Sequence, residues 1–160
     1  MITQAGKNVK VFGIEGNFDD AQRGVKEIFG NTALSDELEK KGYTFSSANS
    51  INWGRLVPQI VYYFSAYVDA VKAGKIAAGD PINFVVPTGN FGDILAGYYA
   101  KLMGLPIDRL LCASNSNNVL TDFINTGVYD RRREFFKTVS PSMDILVSSN
   151  LERLLYSVTE

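Results

Sequence analysis

Ile82-Asn83-Phe84-Val85-Val86-Pro87-Thr88-Gly89-Asn90-Phe91-Gly92-Asp93 is the stretch on which the fold turns. Four of the five residues 82–86 are apolar and three are β-branched, which suits a strand buried on both faces of a parallel sheet. Gly89 and Gly92 follow, and beyond them Ile94, Leu95, Tyr98, Leu102 and Met103 recur at helical spacing. The stretch therefore reads as strand, glycine-rich turn and helix. At such a junction the unpaired N–H groups of the first helical turn and the helix dipole favour an anion, and glycine lets an oxyanion approach the backbone. The same glycines also suit a turn that only needs an unusual dihedral, and the turn by itself does not separate the two readings. Gly89, Gly92 and Gly97 lack the dinucleotide spacing, and no Gly-Lys-Ser/Thr follows. Nicotinamide cofactors and nucleoside triphosphates are disfavoured on that ground.

A near-copy sharpens the choice. Gly16-Asn17-Phe18-Asp19-Asp20 also follows a strand-like run, residues 9–14, and also precedes a helical pattern. Here Asp19 stands where the later turn has Gly92, and Glu15 lies just before. Three carboxylates around one turn would repel a phosphate, so the first copy reads as helix capping and the second as the ligand loop. Asp93 then has to point away from an anion or cap the helix.

At 160 residues, with 46% hydrophobic and 21% charged residues, the chain fits one globular domain, residues 1–160, able to bury a sizeable core. The formal net charge of −1 and a single dense basic run, Arg131-Arg132-Arg133, argue against nucleic acid and anionic membrane as partners. One cysteine, Cys112, excludes an internal disulfide framework and is expected in a buried strand. The absence of histidine removes Ser-His-Asp hydrolysis, Cys-His proteolysis and histidine-ligated metal sites. No acidic cluster has calcium-loop spacing. No signal core or membrane-spanning run is found, and a cytoplasmic setting is expected.

Along the chain, strands are expected at 10–14, 43–47, 82–86, 109–113 and 143–147. Helices are expected through Ala21–Phe29, a charged segment around 35–41, a long stripe from Val57 to Val71 with Pro58 in its first turn, the helix after Gly92, a short one stopping at Gly127, and one beginning at Leu151. Strands alternating with helices argue for a parallel sheet covered on both faces, whose ligands gather at the carboxyl ends of strands. Three polar turns, 46–55, 88–93 and 114–118, lie at strand ends and could line one crevice. Arg55 offers a fork-shaped cation for a phosphate or, equally, one half of a surface ion pair.

Residues 9–22, 46–64 and 86–106, and above all the pair Asn49-Ser50-Ile51-Asn52-x-x-Arg55 and Thr88-Gly89-Asn90-Phe91-Gly92-Asp93, resemble the microbial and fungal branch of the threonine synthase family. The resemblance implies a three-layer α/β/α architecture with a mainly parallel twisted sheet, this chain being part of the large domain of a fold-type II pyridoxal-phosphate enzyme. It implies pyridoxal 5'-phosphate as cofactor, its phosphate held by Gly89, Asn90, Phe91 and Gly92 with Asp93 at the helix start. It implies that Asn49, Ser50 and Arg55 bind the phosphate of the substrate, O-phospho-L-homoserine, which the family converts with water to L-threonine and phosphate. Family members are longer, and their Schiff-base lysine lies in an upstream segment with no counterpart here. Lys7, Lys26, Lys72, Lys101 and Lys137 match no part of that motif. The chain is therefore expected to carry the phosphate-binding loops of a lyase of threonine biosynthesis but no catalytic residue for the proton transfers, and to be inactive alone. The alternative is a non-catalytic α/β module that binds a phosphorylated small molecule.

Overall fold

The computed structural model describes residues 6–159. They fall into two compact units, one ending at Phe45 and the other beginning at Ser46.

In the first unit, α1 (Phe18–Phe29) starts where the near-copy turn ends, and α2 (Thr32–Lys40) follows a short break. The Asn17 side chain accepts from the Asp20 N–H at 3.1 Å while the Asp20 carboxylate accepts from the Asn17 N–H at 3.0 Å, a reciprocal capping box. These two bonds hold Asp20 below the usual carboxylate range, with the Arg23 guanidinium adding to the effect. The capping reading of this turn is what the structure contains. The strand expected at 10–14 is not present. The only bridge nearby joins Gly6 to Val9, and Val11, Phe12 and Ile14 are exposed. A strand needs a partner ladder for its backbone groups, and none of the described residues supplies one. For the same reason 43–47 forms no strand, although Phe45 packs its ring on Phe29 with centroids 5.4 Å apart.

The second unit holds the core. A turn leads into α3 (Trp53–Leu56), a 3₁₀ segment (Val57–Gln59) and α4 (Ile60–Lys72), then β1 (Ile82–Pro87), α5 (Gly92–Leu102), β2 (Ile107–Ala113) and α6 (Val119–Thr126). A second 3₁₀ turn (Pro141–Met143) and α7 (Leu151–Thr159) complete it. Pro58 occupies the start of the 3₁₀ segment, where its missing N–H costs no bond. The strand expected at 143–147 is replaced by that turn and by irregular chain, again without a ladder partner.

β1 and β2 pair in parallel, from Ile82 opposite Ile107 to Pro87 opposite Ala113, with one irregularity after Ile82. The α/β class is thus as expected, and among the described residues the sheet consists of these two strands. β1 is buried on one face only: Ile82, Phe84 and Val86 face the core, whereas Val85 is 67% exposed. Burial on both faces fails because no layer of the described residues covers the second face. Tyr63 and Tyr67 of α4, Leu95, Ala96 and Ala100 of α5, Val86, Ile107 and Leu56 form the core, joined by Val119, Leu120 and Leu151. Gly97 lies in α5 where a Cβ would come within 2.7 Å of the Tyr63 ring, so only glycine lets α4 and β2 close on this helix. Cys112 is half-buried in β2, and burial raises its thiol pKa.

Candidate functional site

Residues 87–94 and Ser50 line a cleft of about 140 Å³ at the carboxyl end of β1. The backbone there is pinned from below. Thr88 is buried, its N–H donating to the Ala113 carbonyl at 2.7 Å and its hydroxyl to the Val86 carbonyl at 2.7 Å. Phe91 then takes a left-handed conformation, with φ of 63°, which a bulky side chain adopts only when its surroundings hold it. Its ring is buried in the core, and that packing holds the turn.

The two Gly-Asn-Phe copies are used differently. In the first, Asn17 caps its own helix. In the second, Phe91 is the N-cap of α5 and no side chain bonds the first turn. Asn90 turns away from the helix instead, its Nδ2 donating to Asn49 Oδ1 at 3.2 Å and its Oδ1 accepting from the Ser149 N–H at 3.1 Å and hydroxyl at 2.5 Å. The amides at the start of α5 are left without a side-chain partner beside a small cleft, the arrangement that receives an anion.

Asp93, the one carboxylate in the turn, is turned toward Tyr63. The Tyr63 hydroxyl donates to the Asp93 carbonyl at 2.8 Å and approaches Asp93 Oδ1 at 3.2 Å. Burial raises the Asp93 pKa, and the Tyr63 bond opposes that rise in part. The Tyr63 hydroxyl is itself pushed well above its ordinary value, first by burial and then by the Asp93 charge.

The Asn49 turn meets this loop directly. Asn49 Oδ1 also accepts from the Ile51 N–H at 3.1 Å, and Ser50 sits against Gly92, where a Cβ would fall 2.5 Å from Ser50 Oγ. Gly92 is therefore required by the approach of Ser50, a reason that sequence reasoning did not supply. Arg55 does not line the cleft. It is exposed on α3, donates from Nε to the Ala48 carbonyl at 2.8 Å and makes no ion pair among the described residues. The Ser114–Asn118 turn also stays apart from the cleft. Asn115 and Asn117 donate to the Asp144 carboxylate at 2.7 and 3.2 Å, and Asn117 also clasps both backbone groups of Phe136.

A third segment, Ser148-Ser149-Asn150, was not singled out by sequence. Ser148 Oγ donates to the Gly89 carbonyl, Ser149 holds Asn90, and Asn150, fully buried, donates from Nδ2 to Ser50 Oγ at 3.0 Å and to the Asn90 carbonyl at 3.1 Å. Its only signal in sequence is a polar triplet between the apolar run 145–147 and α7, which reads there as a break between elements. No lysine lines the cleft, and no group of metal-ligating side chains is present among the described residues. No described helix is long and apolar enough to cross a membrane.

No family model matches the chain. Human threonine synthase-like 1 is 56% identical over 146 residues, 90% of this chain and 20% of that protein. Threonine synthase of Saccharomyces cerevisiae is 45% identical over 156 residues, 98% of this chain and 29% of that protein. Among solved structures, the pyridoxal-phosphate-bound threonine synthase of Brucella melitensis superposes with a TM-score of 0.72 at 49% identity, over 92% of this chain and 29% of that one. Threonine synthase of Escherichia coli does so with a TM-score of 0.78 at 34% identity, over 96% of this chain and 34% of that one. The chain thus spans between a fifth and about a third of the length of the relatives it matches.

Proposed function

We propose that this chain, a homologue over nearly its whole length of one segment of the threonine synthases, carries the phosphate-holding part of a pyridoxal-phosphate lyase. Both units would then be portions of that enzyme's large domain. The observation that supports the reading is the uncapped start of α5 facing a cleft, where the sister motif at α1 spends its asparagine on a capping box.

The donor set suits a phosphate. Main-chain amides of Gly89, Asn90, Phe91 and Gly92 would hold the cofactor's phosphate at the helix N-terminus, and Asp93 would be kept clear of it by Tyr63. When bound, pyridoxal phosphate supplies an electron sink for carbanionic chemistry. Asn49 and Ser50 would orient the phosphate of O-phospho-L-homoserine beside it, and Arg55, free of carboxylates but outside the cleft, would join that hold by swinging in from α3. The turn's backbone would need little reorganisation on binding, because Thr88, Ser148 and Asn150 already hold it. The parent reaction on this reading converts O-phospho-L-homoserine and water to L-threonine and phosphate, in a cytoplasmic setting.

By itself the chain is inactive on this reading, since no lysine lines the cleft to bind the cofactor covalently or to move protons. Incubating the chain with pyridoxal phosphate and O-phospho-L-homoserine is expected to release no phosphate above a protein-free control, while ³¹P spectra report saturable binding of the cofactor's phosphate. Phosphate release would overturn the inactive part of the reading, and absence of binding by a folded sample would overturn the whole.

A further inference from the structure

We infer that Asn150 is a positioning residue that joins the Ser50 turn and the Gly89–Asp93 turn into one two-part site, so that neither keeps its shape without the other. The inference deepens the phosphate-binding reading above and rests on it for its ligand, although the coupling itself is visible in the bonds.

Asn150 is fully buried, and its side chain makes three contacts. The two Nδ2 hydrogens go to different turns, one to Ser50 Oγ at 3.0 Å and one to the Asn90 carbonyl at 3.1 Å. These acceptors lie 100 and 60 residues away in sequence. The Asn150 N–H donates to the same Asn90 carbonyl at 3.2 Å, so the β1–α5 turn is held by two donors from one residue. Oδ1 accepts from Arg153 Nη1, which also donates to the Ser50 carbonyl at 2.9 Å, while Nη2 reaches the Ile51 carbonyl at 2.5 Å. The amide is thereby fixed in orientation, and the cation that fixes it grips the same turn that the amide grips.

A buried amide with its hydrogens shared between two loops ties their positions together. If the Ser50 turn moves out, one donor is left unpaired in the interior, a costly state that the site avoids by keeping both loops in place. One nearby hydrogen bond runs beside this link, without a buried donor shared between the turns. Asn90 Nδ2 joins Asn49 at the longer distance of 3.2 Å, and Gly92 meets Ser50 only by van der Waals approach. Filling the cleft with an anion on the amides of Gly89 to Gly92 should therefore protect the Ser50 turn as well.

The test uses the full 160-residue chain, amide hydrogen exchange and titration with inorganic phosphate. Asn150→Ala is expected to speed exchange about tenfold both at Ile51 and Asn52 and at Thr88 and Leu95, whose bonded amides flank the β1–α5 turn, and to weaken phosphate binding by a similar factor, while exchange in α4 stays as in the parent chain. If that variant does not fold, Ser50→Ala removes the same bond from its other end. It should speed exchange at Thr88 and Leu95, with which Ser50 makes no hydrogen bond of its own. Exchange that rises only around residues 149–153, or only in the turn that was mutated, would overturn the inference. A parent chain with both turns protected and with no phosphate uptake would instead overturn the phosphate-binding reading and leave the coupling in place.

Discussion

Gly92 has no room for a side chain, and the obstacle is Ser50. Carboxylate repulsion alone predicts that Gly92→Asp weakens phosphate binding and Gly92→Ala does not. The contact with Ser50 predicts that Gly92→Ala already lowers phosphate affinity, by about tenfold, because the turn must move before any charge is added. Equal affinities for the parent chain and Gly92→Ala in a phosphate titration at constant ionic strength would show that the contact is irrelevant. Asp93 supplies a second residue-scale test. Burial lifts its folded-state pKa above the ordinary 3.8 and the Tyr63 hydroxyl opposes the lift. The folded chain therefore holds this proton to higher pH than the unfolded one, so the associated stability is complete below 3.8 and disappears as pH rises through the raised value. Tyr63→Phe should raise the Asp93 pKa further and cost about 1 kcal/mol for the lost hydrogen bond. A carboxyl ¹³C titration checks the first effect and denaturant unfolding the second. A lower pKa in the variant would contradict the assignment.

At the scale of elements, the two Gly-Asn-Phe turns give opposite expectations for the same substitution. Asn17→Ala should remove a true cap, destabilising α1 by about 1 kcal/mol and speeding amide exchange in its first turn. Asn90→Ala should leave α5 intact and instead loosen the contacts with Asn49 and Ser149. Fraying of α5 on Asn90→Ala would show that the two turns are alike after all. The segment from Thr138 to Asp144 has its own anchor. Asp144 accepts from the Thr138 N–H and hydroxyl, Asn115 and Asn117, and these bonds, the Thr138 N–H first, hold its pKa below 3.8. Its contribution is present above pH 3.8 and is lost as pH falls through the lowered value. Asp144→Asn, which turns an amide toward donors, should lower the unfolding midpoint at neutral pH and remove that acid-dependent loss. Unchanged acid sensitivity in Asp144→Asn would place the effect elsewhere. Much of this level was legible in sequence: the helices followed from apolar periodicity, and the carboxylates around Asp19 marked the first turn as the capping one. The strands at 10–14, 43–47 and 143–147 were not, because a strand depends on a partner that local sequence does not name. Ser148-Ser149-Asn150 was missed for a related reason, since its bonds reach across 59 to 100 residues and leave no local pattern.

Across the whole molecule, the polar side chains around the cleft are hydrogen-bonded while much apolar surface is left uncovered. Phe18, Val25, Ile28 and Phe29 of α1 are exposed, as are Val85 and Leu111 on the parallel pair. Apolar surface of this kind binds hydrophobic dyes and drives self-association. The chain should therefore enhance 1-anilinonaphthalene-8-sulfonate fluorescence and sediment with a concentration-dependent mass, and a strictly monomeric, dye-inert chain would contradict the exposed surface. The central claim, that residues 89–93 form a ready phosphate cradle, is most directly tested by an amide-shift titration of the chain with inorganic phosphate and with pyridoxal phosphate. The account predicts saturable shifts at Gly89 to Asp93, accompanied by shifts at Asn49 to Ile51, with no comparable change at Arg131 to Arg133. A folded sample whose cleft amides do not move, or whose shifts gather on the arginine run, would contradict it.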